Sequence, residues 1–359
     1  MTSFRPLRTL IHAAAALMAT VAIGPAAHAQ QGSFGANLAT VEQDGFGVYL
    51  ATVAATARGQ GISQNTIDRV LGGLTVNNRV IALDRENVSS GPAVTSTGFS
   101  SMATYLNRHN TPARISGGTA AMRRVGVLAN EVERNYGVPA EIILAIWGHE
   151  TAYGAVKGSF DLPQALATLA WEGRRRDLFE PELLAVLRMV EQGVPRSDLV
   201  GSHAGAFGNP QFLPSVYLRL AVDGDRDGDR DIWNSDADTL HSVANYFRDA
   251  GWRVGQPWGV RAYVPNSVNR AAVANHVTAP VCPRVHERHS RWMTVREWRE
   301  LGVIPQDPLA DDVMATLFEP DGAAAPGYLL TQNYRVILEY NCSNYYAMSV
   351  GLLADEISR

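Results

Sequence analysis

The sequence predicts an α+β fold that is predominantly helical, and three observations carry that prediction. The chain has 359 residues, 46% hydrophobic and 18% charged, enough apolar material for one large core or two modest ones. Helical patterning runs, with short breaks, from Phe46 to Gly251. Beyond Trp258 the text turns to short apolar runs set among Pro, Asn and Gly, the pattern of short strands.

Taken in chain order, residues 1–29 read as a cleaved secretory signal. A basic start (Arg5, Arg8) leads into an apolar run from Leu10 to Ile23, then Ala27-His28-Ala29 before Gln30. The apolar centre is short for a membrane span, although a membrane-anchoring helix is the competing reading. No cysteine follows the cleavage site, so no lipid anchor is expected, and the mature protein is expected in the periplasm. Residues 30–255 are expected to form a helical N-terminal region and the main core, and 256–359 a small mixed α/β subdomain with a closing C-terminal helix. Amphipathic helices are expected from Phe46 to about Val80, a Ser/Gly/Pro/Thr loop over 87–97, and helix again at Phe99–Leu106. Val260–Val264 and Tyr328–Leu330 read as strands, and about Asn344 to Ile357 as the last helix.

The net charge of −4 offers no basic field for a polyanion, which argues against nucleic acid as a partner. Cys282 and Cys342 are the only cysteines. An even count in an oxidising compartment permits one disulfide, and two separate buried thiols is the alternative.

The stretch from Ile142 to Gly154 (IILAIWGHETAYG) carries an apolar helix into a glutamate. A carboxylate at the edge of such a segment is partly desolvated, which raises its pKa and suits it to general acid catalysis. The competing reading is a glutamate that faces solvent or caps a neighbouring helix. His149-Glu150 begins like a zinc-protease motif, but Tyr153 stands where the second histidine is needed. Gly201-Ser202-His203-Ala204-Gly205 has its serine one place early for a nucleophile elbow, and Gly205-Ala206-Phe207-Gly208 follows no strand. A second carboxylate is not found locally, since Glu141 lies about 13.5 Å back along the helix. Asp161, Glu172 and Glu180 lie downstream at positions that the sequence does not place.

Asp223, Asp225, Asp227 and Asp231 stand at positions 1, 3, 5 and 9 of an acidic loop with Gly228 at position 6, the spacing of an EF-hand calcium loop. Asp229 takes the position that supplies a backbone carbonyl. Arg230 and Asn234 depart from the pattern, so Asp236 or Asp238 is expected to complete the shell. A structural calcium ion is the expectation, and a solvated acidic turn the alternative.

Several ordered motifs together resemble the lytic murein transglycosylase B family. They are Ile146–Thr151 with Tyr153-Gly154, Ala165–Ala170 leading to Arg174-Arg175, Gly201–Gly208 through Gln211–Ser215, the acidic loop ending Asp231-Ile232-Trp233-Asn234 with Val243–Tyr246, and Asn333–Ile337 with Tyr340-Asn341 and Tyr346-Ala347. The resemblance implies a lysozyme-like core with an EF-hand-like calcium loop, acting on peptidoglycan glycan strands between MurNAc and GlcNAc and leaving anhydro-MurNAc ends. It implies Glu150 as the catalytic residue and no catalytic cofactor. It places Ser202, Gln211, Tyr246, Tyr340, Asn341 and Tyr346 on the cleft, with Arg174 and Arg175 as a basic substrate-binding pair. A monomer acting with cell-wall synthesis or divisome proteins is the expected setting. Phe207 and Leu213 stand where methionine is common, and Asn87-Val88 departs from the family's N-terminal cleft pattern. A hydrolytic muramidase and an inactive, calcium-stabilised wall-binding protein are the competing functions.

Overall fold

Residues 34–86 and 101–359 are described by a computed structural model. The expected signal segment 1–29 and the loop at 87–97 lie outside the described residues. Helix α1 spans Phe34–Gly59, α2 Gln64–Leu71 and α3 Asn78–Glu86. Ser63 starts α2 by accepting the Thr66 N–H, which satisfies one of the free donors at a helix N-terminus. Helix α4 (Met102–His109) is capped the same way by Ser101, and α5 (Pro112–Tyr136) by Thr111 with a proline in its first turn. Gly137, at φ 71°, ends α5 and turns the chain into α6 (Ala140–Thr151).

The next elements are β1 (Phe160–Asp161), α7 (Leu162–Glu172), α8 (Arg176–Glu191), β2 (Val200–Gly201), α9 (Pro214–Leu220) and α10 (Asp236–Asp249). Strands β1 and β2 form a short antiparallel ladder. Helix α6 is the centre of the main core. Ile142 through Trp147 are all buried, against α5, α10 and the C-terminal helix. Each fully buried Ile or Leu contributes about 1.5–3 kcal/mol, so this helix is fixed by burial on nearly every face.

After α10 come β3 (Gly259–Tyr263), α11 (Pro283–His286), β4 (Met293–Thr294), α12 (Val295–Glu300), β5 (Ile304–Pro305), β6 (Met314–Phe318) and β7 (Gly327–Leu330). The strands form an antiparallel sheet in the order β4-β6-β7-β3-β5, with Leu329 of β7 opposite both Val260 and Leu317. This sheet has its own small core around Val260, Trp298, Leu317 and Leu329.

Helices α13 (Gln332–Tyr340) and α14 (Asn344–Ile357) follow. They do not stay with the sheet: Ile337, Met348 and Leu353 join the same core as Ile143 and Leu144. The region expected as one subdomain over 256–359 thus divides into a sheet and two helices that return to the main core. Their apolar faces find a larger partner surface there than the sheet offers. Cys282, at the start of α11, is bonded to Cys342, between α13 and α14, with Cα atoms 5.3 Å apart. This answers the question left open over the two cysteines.

Candidate active site

Glu150 sits in the last turn of α6, half-buried, next to the left-handed residues Ala152 (φ 49°) and Tyr153 (φ 59°) that end the helix. The strain of non-glycine residues at positive φ is held by packing. The Tyr153 ring lies across Gly148, where a Cβ would stand 2.5 Å from it, and its hydroxyl donates to Arg114 O at 2.8 Å. Gly148 is therefore required for the close approach of this ring to the helix that carries Glu150.

Burial raises the Glu150 pKa to about 7, while a hydrogen bond from Tyr346 and the charge of Arg114 pull it the other way. Its place near the C-terminal end of α6 adds to the disfavour for an anion. The Tyr346 hydroxyl donates to Oε1 at 2.5 Å. Burial keeps the Tyr346 and Tyr340 hydroxyls protonated far above neutrality, so both remain donors.

The expected cleft residues are placed as follows. Tyr340 donates to Pro210 O at 2.5 Å, and its ring meets that of Tyr246 at 4.7 Å, edge on. Tyr246 donates to Glu339 O at 2.8 Å. Ser202 accepts the Ala206 N–H at 3.0 Å, closing the tight turn of the Gly201–Gly208 segment. Gln211, at φ 50°, donates to Gly208 O at 2.9 Å and so braces that turn. Asn341 ends α13 beside the disulfide. The structure thus brings Tyr340 and Tyr346 into the electrostatic surroundings of Glu150 and ties the Ser202 turn to Gln211. Arg174 and Arg175 are engaged elsewhere: both grip the buried Asp84 carboxylate of α3, and Arg175 also lies over Phe179. These contacts make the pair a fork that holds α3 to the α7–α8 junction.

None of the carboxylates left unplaced by the sequence accompanies Glu150. Asp161 caps α7 and pairs with Arg196, Glu172 pairs with Arg85, and Glu180 accepts from Tyr49. Two neighbours that sequence reasoning missed are Arg114 and Tyr105, both of which interact electrostatically with Glu150. Tyr105 lay inside a recognised helix, but nothing in the spacing marked it for the site.

In the acidic loop, carboxylate oxygens of Asp223, Asp225 and Asp227 lie within 4.8 Å of one another. This all-oxygen, highly charged donor set fits a hard cation such as Ca²⁺. Asp231 is used differently, its Oδ1 accepting the Trp233 and Asn234 N–H groups. Asp238, fully buried on α10, accepts the N–H groups of Gly224 and Asp231 and pins the loop. Asp229 is exposed, with its pKa raised by desolvation and by Asp227 and Asp231.

A carboxyl group that keeps a share of its proton near neutrality, with a tyrosine hydroxyl on one oxygen, has the chemistry of enzymes that break glycosidic bonds by protonating the leaving oxygen. Residues 45–355 match the family described as the transglycosylase SLT domain, and the chain belongs to that family. Over 258 residues, 71% of the chain, it is 33% identical to the membrane-bound lytic murein transglycosylase B of Escherichia coli K12, and it spans 66% of that protein's length. SltB3 from Pseudomonas aeruginosa, in complex with NAG-anhNAM-pentapeptide, is similar with a TM-score of 0.77 and 35% identity, over 87% of this chain and 79% of that one. The Escherichia coli lytic transglycosylase Slt35 in complex with calcium gives a TM-score of 0.70 at 27% identity, over 88% of this chain and 93% of that one. Among the described residues no helix is long and apolar enough to cross a membrane.

Proposed function

We propose that this protein is a lytic murein transglycosylase that cleaves the MurNAc-GlcNAc bond of peptidoglycan with a single carboxyl group, Glu150. The observation that carries this reading is that Glu150, its pKa raised to about 7, keeps a share of its proton near neutrality with the Tyr346 hydroxyl on it, the charge of Arg114 acting on it and no acidic partner among the described residues. A hydrolase of the usual kind needs a second carboxylate within about 5–10 Å. Here the substrate supplies what that carboxylate would activate.

With the Tyr346 hydroxyl on Oε1, the transferable proton of Glu150 sits on Oε2. Glu150 gives it to the glycosidic oxygen, the C–O bond to the MurNAc anomeric carbon breaks, and the GlcNAc side leaves as an alcohol. The acetamido oxygen of MurNAc captures the anomeric carbon. The Glu150 carboxylate then takes the proton of the same sugar's C6 hydroxyl, whose oxygen displaces the acetamido group and closes the anhydro ring. Glu150 ends protonated, ready for the next bond. An intramolecular attack of this kind benefits from high effective molarity, so no water has to be positioned. Tyr246, Tyr340, Asn341, Ser202 and Gln211 would supply ring faces and hydrogen bonds to the sugars.

Asp223, Asp225 and Asp227 would hold a structural Ca²⁺, whose charge offsets the mutual repulsion of the loop carboxylates. Residues 1–29 would direct export to the periplasm, where glycan strands are the substrate. Mass spectrometry of digested peptidoglycan tests the reading: anhydro-MurNAc ends are expected, and reducing ends would assign the protein to the hydrolytic muramidases.

A further inference from the structure

A polar chain leads away from Glu150 through α5, α6 and α14, and the reaction above does not use it. It begins at Arg114 of α5, which donates from Nη1 to His109 O at 2.9 Å and approaches His149 Nδ1 at 3.3 Å. A guanidinium can only donate. His149 Nδ1 is therefore the acceptor, and the imidazole proton sits on Nε2. That nitrogen faces Ser349 Oγ at 3.1 Å, and Ser349 in turn donates to Asn110 Oδ1 at 2.5 Å. Asn110 Nδ2 closes the loop by donating to Ser349 O at 2.9 Å. A single arrangement of protons satisfies every member, so the chain is directional from Arg114 to Asn110.

We propose that His149 is a positioning residue: with Ser349 and Asn110 behind it, it fixes the Arg114 guanidinium beside Glu150 and so sets how readily Glu150 gives up its proton. The ring is one residue from Glu150 on α6, just past the buried apolar run Ile142–Trp147. A histidine that only filled space there would need no acceptor turned toward an arginine and no donor turned toward a serine.

The groups that bear on Glu150 and Arg114 come from every neighbouring element. They are Tyr105 and His109 of α4, His149 of α6, Tyr153 just past it, Tyr340 of α13 and Tyr346 of α14. Burial keeps the tyrosines protonated, and burial followed by the charge of Arg114 keeps His109 and His149 neutral. Of this set only Arg114 is charged near neutrality, and its charge favours the Glu150 carboxylate. Where Arg114 is held therefore adjusts the balance between acid and carboxylate that burial and the Tyr346 hydrogen bond set first.

The proposal rests on Glu150 being the catalytic acid, so its test reads the Glu150 proton without substrate. Glu150 is titrated by ¹³C NMR of labelled glutamate carboxyls in the wild type, Arg114→Gln, His149→Phe, His149→Asn and Ser349→Ala, and it is assigned by its loss in Glu150→Gln. Arg114→Gln is expected to move the titration up by about one pH unit, since it removes a nearby opposite charge. His149→Phe is expected to move it in the same direction, and His149→Asn, which keeps an acceptor near the Nδ1 position, to restore most of the wild-type value. Ser349→Ala cuts the chain beyond the ring and is expected to give a smaller upward shift; it decides the matter if His149→Phe does not fold. Wild-type titration in both His149→Phe and Ser349→Ala, or none of the expected shift in Arg114→Gln, overturns the proposal. Retained lytic activity in Glu150→Gln would instead overturn the catalytic reading and leave this electrostatic result standing.

Discussion

The Tyr346 hydroxyl lies 2.5 Å from Glu150 Oε1 and reaches it across 196 residues of sequence. The bond strengthens as Glu150 loses its proton, because a hydroxyl binds a carboxylate more tightly than a carboxylic acid. Tyr346 therefore stabilises the state that follows proton donation. Tyr346→Phe is expected to raise the Glu150 pKa above about 7 and to lower kcat roughly 10- to 100-fold, the equivalent of about 1.5–3 kcal/mol for a hydrogen bond to a charged group. Steady-state kinetics on purified glycan strands at several pH values would show both, and an unchanged kcat would exclude Tyr346 from the reaction.

Glu150→Gln should retain the Tyr346 hydrogen bond, since the amide oxygen can occupy the Oε1 position, but it has no acidic proton to give. Clearing of a peptidoglycan suspension is expected to fall at least roughly 100- to 10,000-fold. Far-UV circular dichroism of the variant is expected to match the wild type, because α6 is fixed by its apolar residues and Glu150 lies at its rim.

The same glutamate has a cost for stability. Its folded pKa of about 7 lies above the ordinary glutamate value of 4.5, so folding favours the protonated form. The stability it allows is fully present below the unfolded pKa and is lost as pH rises through the folded one. The difference corresponds to about 3 kcal/mol between the two limits, taken as an order of magnitude. Glu150→Gln is therefore expected to unfold at a higher denaturant midpoint than the wild type at pH ~8, with the gap closing toward pH ~4.5. Equal midpoints at both pH values would show that Glu150 titrates normally. Activity should fall over the same range, as pH rises through about 7 and the acid is lost.

Some of this was legible in the chain and some was not. Glu150 stood out because the apolar run from Ile142 to Trp147 leaves few ways to explain a carboxylate at its end, and burial is a local property of that run. Its neighbours were not local. Tyr346 and Tyr340 were reached only through resemblance, and Arg114 and Tyr105 come from α5 and α4, whose periodicity says where a helix faces its core but not which polar group it turns to a distant carboxylate. Arg174 and Arg175 looked like a substrate clamp because their partner Asp84 lies about 90 residues earlier in the chain. The last helix was recognised almost to the residue, yet its placement with the sheet missed that its apolar face completes the main core.

The disulfide bears on the site because Cys342 sits between Asn341 and the cap of α14, on the turn that separates Tyr340 from Tyr346. The loop it closes spans 60 residues, and a bridge over such a loop is worth about 2–4 kcal/mol. A Cys282→Ser/Cys342→Ser variant is expected to lose that stability in thermal unfolding. Activity should fall by more than the lost stability explains, since the turn would no longer hold Asn341 and Tyr340 in register. A variant that melts earlier but keeps wild-type activity below its melting range would separate the bridge from the site.

Calcium should act on stability first and on the site through a traceable path. The loop carbonyl of Ile232 accepts the Asn209 N–H at 2.8 Å, that of Trp233 accepts Asn209 Nδ2 and Lys157 Nζ, and Asn209 O accepts the Thr151 hydroxyl at 3.1 Å, one residue from Glu150. An ion that binds only the folded loop at a hundred times its Kd contributes about 2.7 kcal/mol, or about 4 °C in Tm for a chain of this size. A chelator is expected to remove that increment and to slow glycan cleavage at temperatures where the protein remains folded. Asp225→Asn/Asp227→Asn should abolish the calcium response while raising the Tm of the metal-free protein, because the clustered carboxylates repel one another when no cation lies between them. If wild-type Tm is indifferent to chelator and added calcium alike, the loop is an acidic turn and no ion takes part in holding the structure.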